Sequence, residues 1–289
     1  MSRIYQTKAK IDYNVCVSGN YYKLVFSSAK IARAAQPGQF VTLLLSKDCQ
    51  PLLRRPFSIH SIRNQSTEYR EQIEILYEVR GKATEILSKK KPGDFLDILG
   101  PLGSGFDLPL FSYPQSAILV GGGIGIAPLL FLAQRLIDSY PLSLSAGRQA
   151  PIRYPLALIG ARTKKEILSQ KEFASLGCGV TISTDNGSAG FKGRVTGLLR
   201  KILDSGKKAR GLNACRRQPA MEIYACGPKP MLKELNAISK KYNIKAQVSL
   251  DEYMACGLGV CLGCMVNTKT GYQAVCKNGP VFDSAKIIW

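Results

Sequence analysis

Short β-rich runs dominate the chain up to about residue 112. Residues 22–26, 39–45, 57–60 and 73–79 are rich in β-branched, aromatic and other apolar side chains, and turn residues bound them. Runs of this length and spacing predict a small antiparallel barrel. One helix is predicted inside it, over residues 83–90, because its apolar side chains recur at helical spacing and a Pro-Gly pair follows.

From about residue 113 the pattern changes to strands that alternate with helices. The predicted strands cover residues 116–120, 156–159, 180–183, 221–225 and 246–250. The predicted helices run through Leu136, over residues 165–176 and 195–203, and onward from Pro230. This alternation predicts a doubly wound parallel α/β domain. Residues 143–154 and 205–219 are basic and are predicted as surface loops, with no function assigned to them.

The fold class is therefore β followed by α/β, in three domains. We predict an antiparallel β-barrel over residues 1–112, a doubly wound α/β domain over 113–243, and a small cysteine-containing domain over 244–289. A chain of 289 residues is long enough for domains with separate cores.

The composition says more about the cellular location of the protein than about its activity. The chain is 45% hydrophobic and 21% charged, and it contains neither a secretory h-region nor an apolar run long enough to span a bilayer. These features predict a cytoplasmic protein without a membrane segment. The net charge of +20 has several possible explanations. Binding of anionic cofactors, an acidic protein partner or a generally basic proteome explains it as well as nucleic-acid binding does. No nucleic-acid module is recognisable, so we predict no nucleic-acid partner.

A glycine-rich cysteine motif near the end carries the most specific chemistry. Its spacing, C-x4-C-x2-C-x11-C, is the plant-type arrangement of four thiolates around a [2Fe-2S] cluster. The four predicted ligands are Cys256, Cys261, Cys264 and Cys276. Intervening glycines allow the loop to curl closely round the metal; they are Gly257, Gly259 and Gly263. The alternatives are zinc, which more often shows two C-x2-C pairs, and buried cysteines or disulfides. The other five cysteines are scattered and are predicted to be reduced thiols.

Two stretches of the barrel could meet a flavin. The run Arg55, Pro56, Phe57, Ser58 offers a guanidinium for phosphate, a flat ring and a hydroxyl. On its own, such a run is more often simply the start of a strand. The second stretch, Gly81 to Thr84, lies where a strand meets a helix, and free N–H groups at a helix start can bind a pyrophosphate. A simple capped turn is the alternative reading there.

Glycines also follow the first strand of the α/β domain, at Gly122, Gly123 and Gly125. This loop departs from the usual G-x-G-x-x-G pattern, but it still permits close approach of a pyrophosphate, and Pro128 suits the first helical turn. Cys226, Gly227 and Pro228 end another strand, at the edge where open α/β sheets bind ligands. We predict no catalytic acid or base. His60 and Trp289 are predicted to be packing or surface residues.

Together these motifs resemble those of the ferredoxin-NADP reductase superfamily with an added [2Fe-2S] domain. The order of the runs RRPFSI, GPLGSGF, TDNGSAGFKGRVT, MACGLGVCLGC and CKNGPVF is similar to that in the electron-transfer subunits of dihydroorotate dehydrogenase B. The likeness covers nearly the entire chain. It implies an FAD-binding barrel, an NAD-binding domain and a [2Fe-2S] domain. It also implies an FMN-containing catalytic partner that oxidises dihydroorotate in pyrimidine biosynthesis, in a heterotetramer with two of each subunit.

The resemblance further implies roles for particular residues. The flavin stretch falls on Arg55 to Ser58, the ring-contacting strand on Leu76, Tyr77 and Glu78, and the pyrophosphate turn on Ala83 and Thr84, next to Gly81. A basic residue is usual at position 78 and a glycine at position 83, so Arg80 is a candidate to supply the missing contact. Arg162 and Lys164 leave the choice between NAD and NADP open, and the resemblance favours NAD.

Two alternative functions remain at this point. One is the small subunit of another flavin and iron-sulfur oxidoreductase, of the ferredoxin:NADP or sulfide dehydrogenase type, although four cysteines argue against it. The other is a non-redox zinc or nucleic-acid-binding protein, suggested only by the charge and the cysteines.

Overall fold

An antiparallel β-barrel forms the first part of the protein. The computed structural model describes residues 3–46, 50–64, 71–108, 116–139, 155–210 and 221–289. The barrel strands are β1 (Tyr5–Ser18), β2 (Tyr21–Ser27), β3 (Phe40–Leu44), β4 (Arg55–Ser58), β5 (Ser61–Asn64), β6 (Glu71–Glu78) and β7 (Phe95–Leu102). They pair in the order β4-β3-β7-β1-β2-β6-β5. Only Ile59 and His60 separate β4 from β5, which are the two ends of that order, so the sheet curls until its ends meet.

Apolar side chains of alternate residues fill this barrel. Val41 and Leu43 point inward from β3, and Ile73 and Ile75 do so from β6; all four are fully buried. Two short helices, α1 (Ala29–Ala34) and α2 (Lys82–Ser88), add buried side chains such as Ile31 and Leu87 to the same core. The barrel and its interrupting helix are therefore confirmed, while β1, β5, β7 and α1 extend the prediction.

A parallel sheet with helices on its faces follows. Its strands are β8 (Ser116–Gly122), β9 (Leu156–Ala161), β10 (Gly179–Thr184), β11 (Phe191–Lys192), β12 (Met221–Cys226) and β13 (Lys245–Ser249). Its helices are α3 (Ala127–Asp138), α4 (Gln170–Ser175), α5 (Val195–Arg210) and α6 (Lys229–Tyr242). The strand order is β11-β10-β9-β8-β12-β13, with one more strand beyond β13. The chain thus reverses direction across the sheet next to β8, and the doubly wound fold is confirmed.

Two predictions about this region are wrong in part. The predicted helix over residues 165–176 is a 3-10 turn, Lys164–Glu166, followed by α4, because Leu168 turns into the core and Ser169 adopts a left-handed backbone with φ 58°. The predicted loop over 205–219 is helical to Arg210, because α5, which begins at Val195, continues past the predicted helix end at Leu203. Its remaining residues and the loop over 143–154 lie outside the described residues.

The C-terminal segment leaves the parallel sheet and returns to it. After β13 the chain forms the cysteine loop, a hairpin of β14 (Met265–Thr268) and β15 (Gly271–Ala274), and α7 (Val275–Asn278). Strand β16 (Val281–Asp283) then pairs antiparallel with β13. The Trp289 indole donates to the Ser284 carbonyl, 3.2 Å away, which makes it a packing residue. The proposed boundaries at 112/113 and 243/244 stay predictions; β13 and β16, beyond the second one, complete the sheet.

Within the described ranges, no helix is both long enough and apolar enough to cross a bilayer.

A buried polar network joins the barrel to the parallel sheet. His60, at the turn between β4 and β5, is fully buried, and its Nδ1 lies 2.7 Å from the Ala127 carbonyl at the start of α3. That carbonyl only accepts, so Nδ1 carries the proton. Lys23 lies 3.4 Å from the buried Glu74 carboxylate and also pairs with Glu172 on α4. The predicted packing role of His60 is confirmed, and its contacts are polar.

Acidification is expected to weaken this interface through His60. Burial lowers its pKa, although the nearby Glu74 carboxylate acts in the opposite direction. The folded protein therefore takes up this proton at a lower pH than the unfolded chain does. The stabilisation is fully present above a pH of about 6.5 and declines as the pH falls below it.

Urea unfolding at pH 7.5 and pH 5.5 tests this expectation. The chain has a single histidine, so His60→Asn removes the whole imidazole contribution while the carboxylates stay the same. The wild type should lose more unfolding free energy between the two pH values than His60→Asn does. Equal losses would contradict the role of His60.

Candidate functional site

Three of the four predicted cluster cysteines lie in the loop after β13, and the fourth, Cys276, lies in α7. Cys264 and Cys276 are buried, Cys256 is half-buried and Cys261 is exposed. Backbone N–H groups of Leu258, Val260 and Cys261 donate to Cys256 Sγ over 3.4–3.5 Å. Gly259 N–H donates to Cys276 Sγ at 3.1 Å, and Cys276 N–H donates to Cys264 Sγ at 3.4 Å. N–H groups aimed at sulfur are the surroundings that thiolate ligands of iron require.

The backbone of this loop turns through the left-handed region three times. Gly257 has φ 71°, Gly259 has φ 79° and Leu262 has φ 58°. A Cβ on Gly259 would lie 2.7 Å from the Lys277 side chain, so that glycine is needed for space as well as for conformation. Gly263 differs from the expectation: a Cβ there would meet only Cys261 Sγ, at 3.7 Å. The strained turn lies at Leu262 instead, where an L residue costs about 1 kcal/mol.

The pKa values of two of the cysteines are displaced in opposite directions. Burial raises the pKa of Cys256, but the N–H groups of Cys261, Leu258 and Val260 outweigh it and bring the pKa to about 6. Burial and the neighbouring Cys264 raise the pKa of Cys276 to about 12. Among the described residues, no three His, Cys, Asp or Glu side chains converge on a point that could hold one ion. A two-iron cluster does not need that convergence, since each iron takes two cysteines.

The predicted flavin strand is β4, at the end of the barrel sheet. Arg54 pairs with Asp97 at 2.8 Å, whereas the Arg55 guanidinium donates to the Leu53 carbonyl at 2.7 Å. Within the described ranges, no carboxylate forms an ion pair with Arg55. The Phe57 and Tyr77 rings form a T-shaped contact, with centroids 5.8 Å apart. β4 thus offers a cation and a ring side by side.

Leu76, Tyr77 and Glu78 lie at the end of strand β6, and their side chains have different surroundings. The side chains of Leu76 and Tyr77 are buried, Leu76 against the parallel sheet domain and Tyr77 in the barrel core. Their backbone is therefore what a ring could meet. Glu78 is at the end of the strand and its carboxylate accepts from Arg80 Nε at 2.7 Å. The cation that we considered as a substitute phosphate contact is thus already paired.

The predicted pyrophosphate turn is a tight cap at the start of α2. Thr84 Oγ1 accepts from the N–H groups of Arg80 and Gly81 at 2.9 and 3.2 Å, and it donates to the Gly81 carbonyl. The hydroxyl thus holds the turn together. Ala83 is buried in the barrel core, so its methyl group points inward.

Removing the Glu78 charge is expected to tighten FAD binding several-fold. Glu78→Gln removes an anion near the predicted pyrophosphate turn and frees the Arg80 guanidinium from its ion pair. One charged contact of this kind is worth on the order of 1 kcal/mol. Titration of the flavin-free protein with FAD, followed by flavin fluorescence, measures the change.

Glu71→Gln is the matched control. Glu71 begins β6 and pairs with the exposed Arg33 at 2.9 Å. It lies seven residues from Glu78 on the same strand, or roughly 23 Å away in an extended chain. Its FAD affinity should equal that of the wild type, and an equal gain in both variants would assign the effect to net charge.

The predicted nicotinamide loops meet at the carboxyl edge of the parallel sheet. Strands β8 and β12 are neighbours, with Gly121 opposite Cys226. A Cβ on Gly125 would lie 2.4 Å from the Cys226 carbonyl oxygen, and one on Gly122 would lie 2.6 Å from Met231 Sδ. Gly123 has φ 57°, and Pro128 lies in the first turn of α3 as predicted. Gly125 is therefore needed for the two strand-end loops to touch, and Gly123 is needed for its left-handed backbone.

Cys226 ends β12 as a buried, neutral thiol. Burial and the Asp251 carboxylate raise its pKa to about 12. Gly227 packs closely on the same edge: a Cβ on it would lie 3.2 Å from Gly122 Cα. Arg162 and Lys164, after β9, are both exposed.

The cysteine loop packs directly on the barrel beside the flavin strand. A Cβ on Gly257 would lie 3.2 Å from Thr42 Cγ2 on β3, and β3 pairs with β4. Ser104 N–H, beyond β7, donates to the Gly279 carbonyl just after α7. The predicted cluster ligands and the predicted flavin residues are thus neighbours in space. Sequence analysis missed Thr42 and the contacts of His60, since neither lies in a recognisable motif.

Two family models match parts of the chain. The iron-sulfur cluster binding domain of dihydroorotate dehydrogenase B matches residues 251–288. An oxidoreductase NAD-binding domain matches residues 119–237. The first range contains all four cluster cysteines, and the second contains both loops at the carboxyl edge of the sheet.

Curated relatives match over most of the chain. The dihydroorotate dehydrogenase B (NAD(+)) electron transfer subunit of Desulforamulus reducens is 38% identical, over 100% of both chains. That of Geobacillus kaustophilus is 36% identical, over 92% of both chains. Among solved structures, a chain of the NADH-dependent reduced ferredoxin-NADP oxidoreductase has a TM-score of 0.75 at 27% identity, covering 97% of this chain and 90% of that one. A ferredoxin NADP+ reductase from Neisseria gonorrhoeae, at 18% identity, TM-score 0.60 and coverage of 82% and 91%, shows the shared fold.

Proposed function

Because the chain belongs to the family of electron transfer subunits of dihydroorotate dehydrogenase B, we propose that it carries electrons from a catalytic partner subunit to NAD+. The observation that carries this proposal is the set of four cysteines with backbone N–H groups aimed at their sulfurs, packed on the barrel strand next to β4. Membership of this family favours an iron-sulfur redox protein over the alternatives of a zinc-binding or nucleic-acid-binding protein.

The protein uses FAD, a [2Fe-2S] cluster and NAD+ in this role. When bound, the flavin and the cluster supply the redox chemistry, linking one-electron transfer to two-electron hydride transfer. The chain binds and positions these groups. Arg55 offers a phosphate a cation that pairs with no carboxylate of the described residues, and Phe57 and Ser58 offer a ring and a hydroxyl. The glycine loop after β8 and residues 226–228 would hold the nicotinamide nucleotide, and the four cysteines would hold the iron.

The catalytic partner has a surface available on the cysteine loop. Leu258, Val260 and Leu262 are 43%, 78% and 62% exposed. The protein's own barrel therefore leaves these side chains largely uncovered. Exposed apolar side chains beside a redox centre suit a partner that must approach it closely. We propose that this partner is an FMN-containing dihydroorotate dehydrogenase subunit, in a heterotetramer with two of each chain. A cytoplasmic location stays a prediction.

A second function is favoured by one comparison. The chain from the NADH-dependent reduced ferredoxin-NADP oxidoreductase shares the fold over nearly the full length of this chain. Its identity is 27%, against 38% for the D. reducens relative. The iron-sulfur segment also matches the dihydroorotate dehydrogenase B domain. Electron transfer from a dihydroorotate dehydrogenase subunit is thus the better supported function, and a ferredoxin-linked reaction is the second candidate.

Co-expression with a candidate FMN subunit tests the proposal. The purified complex should reduce NAD+ when dihydroorotate is added, and Val260→Asp should prevent co-purification while the chain alone keeps its FAD. A complex with full flavin and iron but no dihydroorotate-dependent NAD+ reduction would refute the assignment. Reduction of ferredoxin by NADH under the same conditions would support the second candidate instead.

A further inference from the structure

One hydroxyl group is buried next to the cluster loop without a hydrogen-bond partner. Thr42 is 2% exposed, and among the described residues nothing donates to or accepts from its Oγ1. A buried hydroxyl without a partner costs about 1–3 kcal/mol. Valine would fill the same space without that cost, so the hydroxyl needs an explanation.

The position of Thr42 lies between the two predicted redox sites. It pairs with Pro56 in β4, and the next pair on the same face joins Phe40 to Ser58. Because side chains alternate along a strand, Thr42 shares its face with Pro56 and Ser58. On that face its methyl group Cγ2 would lie 3.2 Å from a Cβ on Gly257, the residue after Cys256.

Two other described side chains have an unpartnered buried atom, and they lie elsewhere. Gln134 is on α3 and Ser183 is on β10. Neither lies between the flavin strand and the cysteine loop. Of these three side chains among the described residues, Thr42 alone is both unpartnered and placed between the flavin strand and the cysteine loop.

We propose that Thr42 Oγ1 donates a hydrogen bond to an acceptor atom of a bound redox cofactor at this junction, either the flavin ring or a sulfur of the cluster. The proposal rests on the proposed function, since it requires both cofactors to be present. Reduction adds negative charge to either acceptor, and a donor stabilises the more negative form. Thr42 therefore makes one of the two centres easier to reduce.

Redox titration of the loaded chain tests this role in Thr42→Val and Thr42→Ser. Valine keeps the branched shape and removes the hydroxyl, whereas serine keeps the hydroxyl and removes the methyl group. Thr42→Val should lower the equilibrium constant for reduction of one centre about fivefold to tenfold, the effect of one lost hydrogen bond. Thr42→Ser should stay within about twofold of the wild type.

The centre that shifts identifies the acceptor. Flavin absorbance reports the flavin, and the electron paramagnetic resonance signal of the reduced cluster reports the iron. Unchanged equilibria at both centres in Thr42→Val would overturn the inference, and so would an equal shift in Thr42→Ser, which would assign the effect to packing. These failures differ from a failure of the proposed function, in which the wild type itself would bind no FAD or cluster or would not be reduced by NADH.

Discussion

Cys261→Ser is expected to abolish the iron-sulfur cluster while the chain keeps its FAD. Cys261 is the exposed member of the four cysteines, so its replacement removes no buried packing. The hard serine oxygen is a poor ligand for an iron-sulfur cluster, which prefers soft thiolates. Electron transfer between the partner subunit and NAD+ should fall by at least about 100-fold. Mutation of residues that merely hydrogen-bond to metal ligands already lowers activity by about 10–100-fold, and here a ligand itself is lost.

Iron, sulfide and flavin contents of the purified variant measure this outcome. NADH oxidation with an artificial flavin oxidant should continue, because the predicted flavin and nicotinamide residues lie on other elements. Cys16→Ser is the control: this thiol is also exposed, but it lies on β1 and contacts the Gly19 carbonyl. Loss of FAD together with the iron in Cys261→Ser would show that the loaded cluster loop is needed to complete the flavin site.

Gly125→Ala is expected to reduce hydride transfer between NADH and the flavin by roughly 100-fold, as misplacement by about 1 Å can do. The new methyl carbon would lie 2.4 Å from the Cys226 carbonyl oxygen and 2.6 Å from Gly227 Cα. Both are backbone atoms that cannot rotate away, so the two strand-end loops must separate. Stopped-flow measurement of flavin reduction by NADH gives the rate, and iron and flavin contents should stay at the wild-type level.

Gly197→Ala is the matched control in the same domain. Gly197 lies in α5, and a Cβ there would meet only the Phe191 ring, at 3.5 Å and beyond. Alanine favours a helix over glycine by about 1 kcal/mol, so this variant should be at least as stable and should react at the wild-type rate. Wild-type flavin reduction in Gly125→Ala would contradict the assignment of the glycine loop to the nicotinamide.

The parts of the fold and site that sequence analysis predicted rest on local patterns. Four cysteines at this spacing indicate a cluster because the spacing is the plant-type pattern of [2Fe-2S] ligands. The alternation of apolar strands with helices predicts the doubly wound sheet, and Pro128 in the first turn of α3 follows from the same local rules. The match with relatives over the full chain confirms the family and the cofactors. The roles of individual flavin and nicotinamide residues stay predictions.

The remaining features depend on which distant segments come together. Nothing near His60 in the sequence indicates that its ring reaches Ala127, 67 residues later. The hydroxyl of Thr42 has no hydrogen-bond partner among the described residues, and only the packing of Gly257 on β3 places it beside the cysteine loop. The left-handed turn at Leu262 also leaves no signal, because that conformation is read from glycine and asparagine, and here a leucine adopts it. Tertiary packing decides each of these features.

The return of β16 to β13 has a consequence for how the protein matures. Ser249 pairs with Val281, and Leu250 N–H donates to the Pro280 carbonyl, so the segment that carries the cysteines is tied at its base. Cys264 and Cys276 are held inside, while Cys261 faces solvent between the exposed Val260 and Leu262. We expect iron and sulfide to be inserted from that open side after the chain has folded, before the catalytic subunit covers it. Reconstitution with iron should accordingly be slower when the partner is added first than when it is added last.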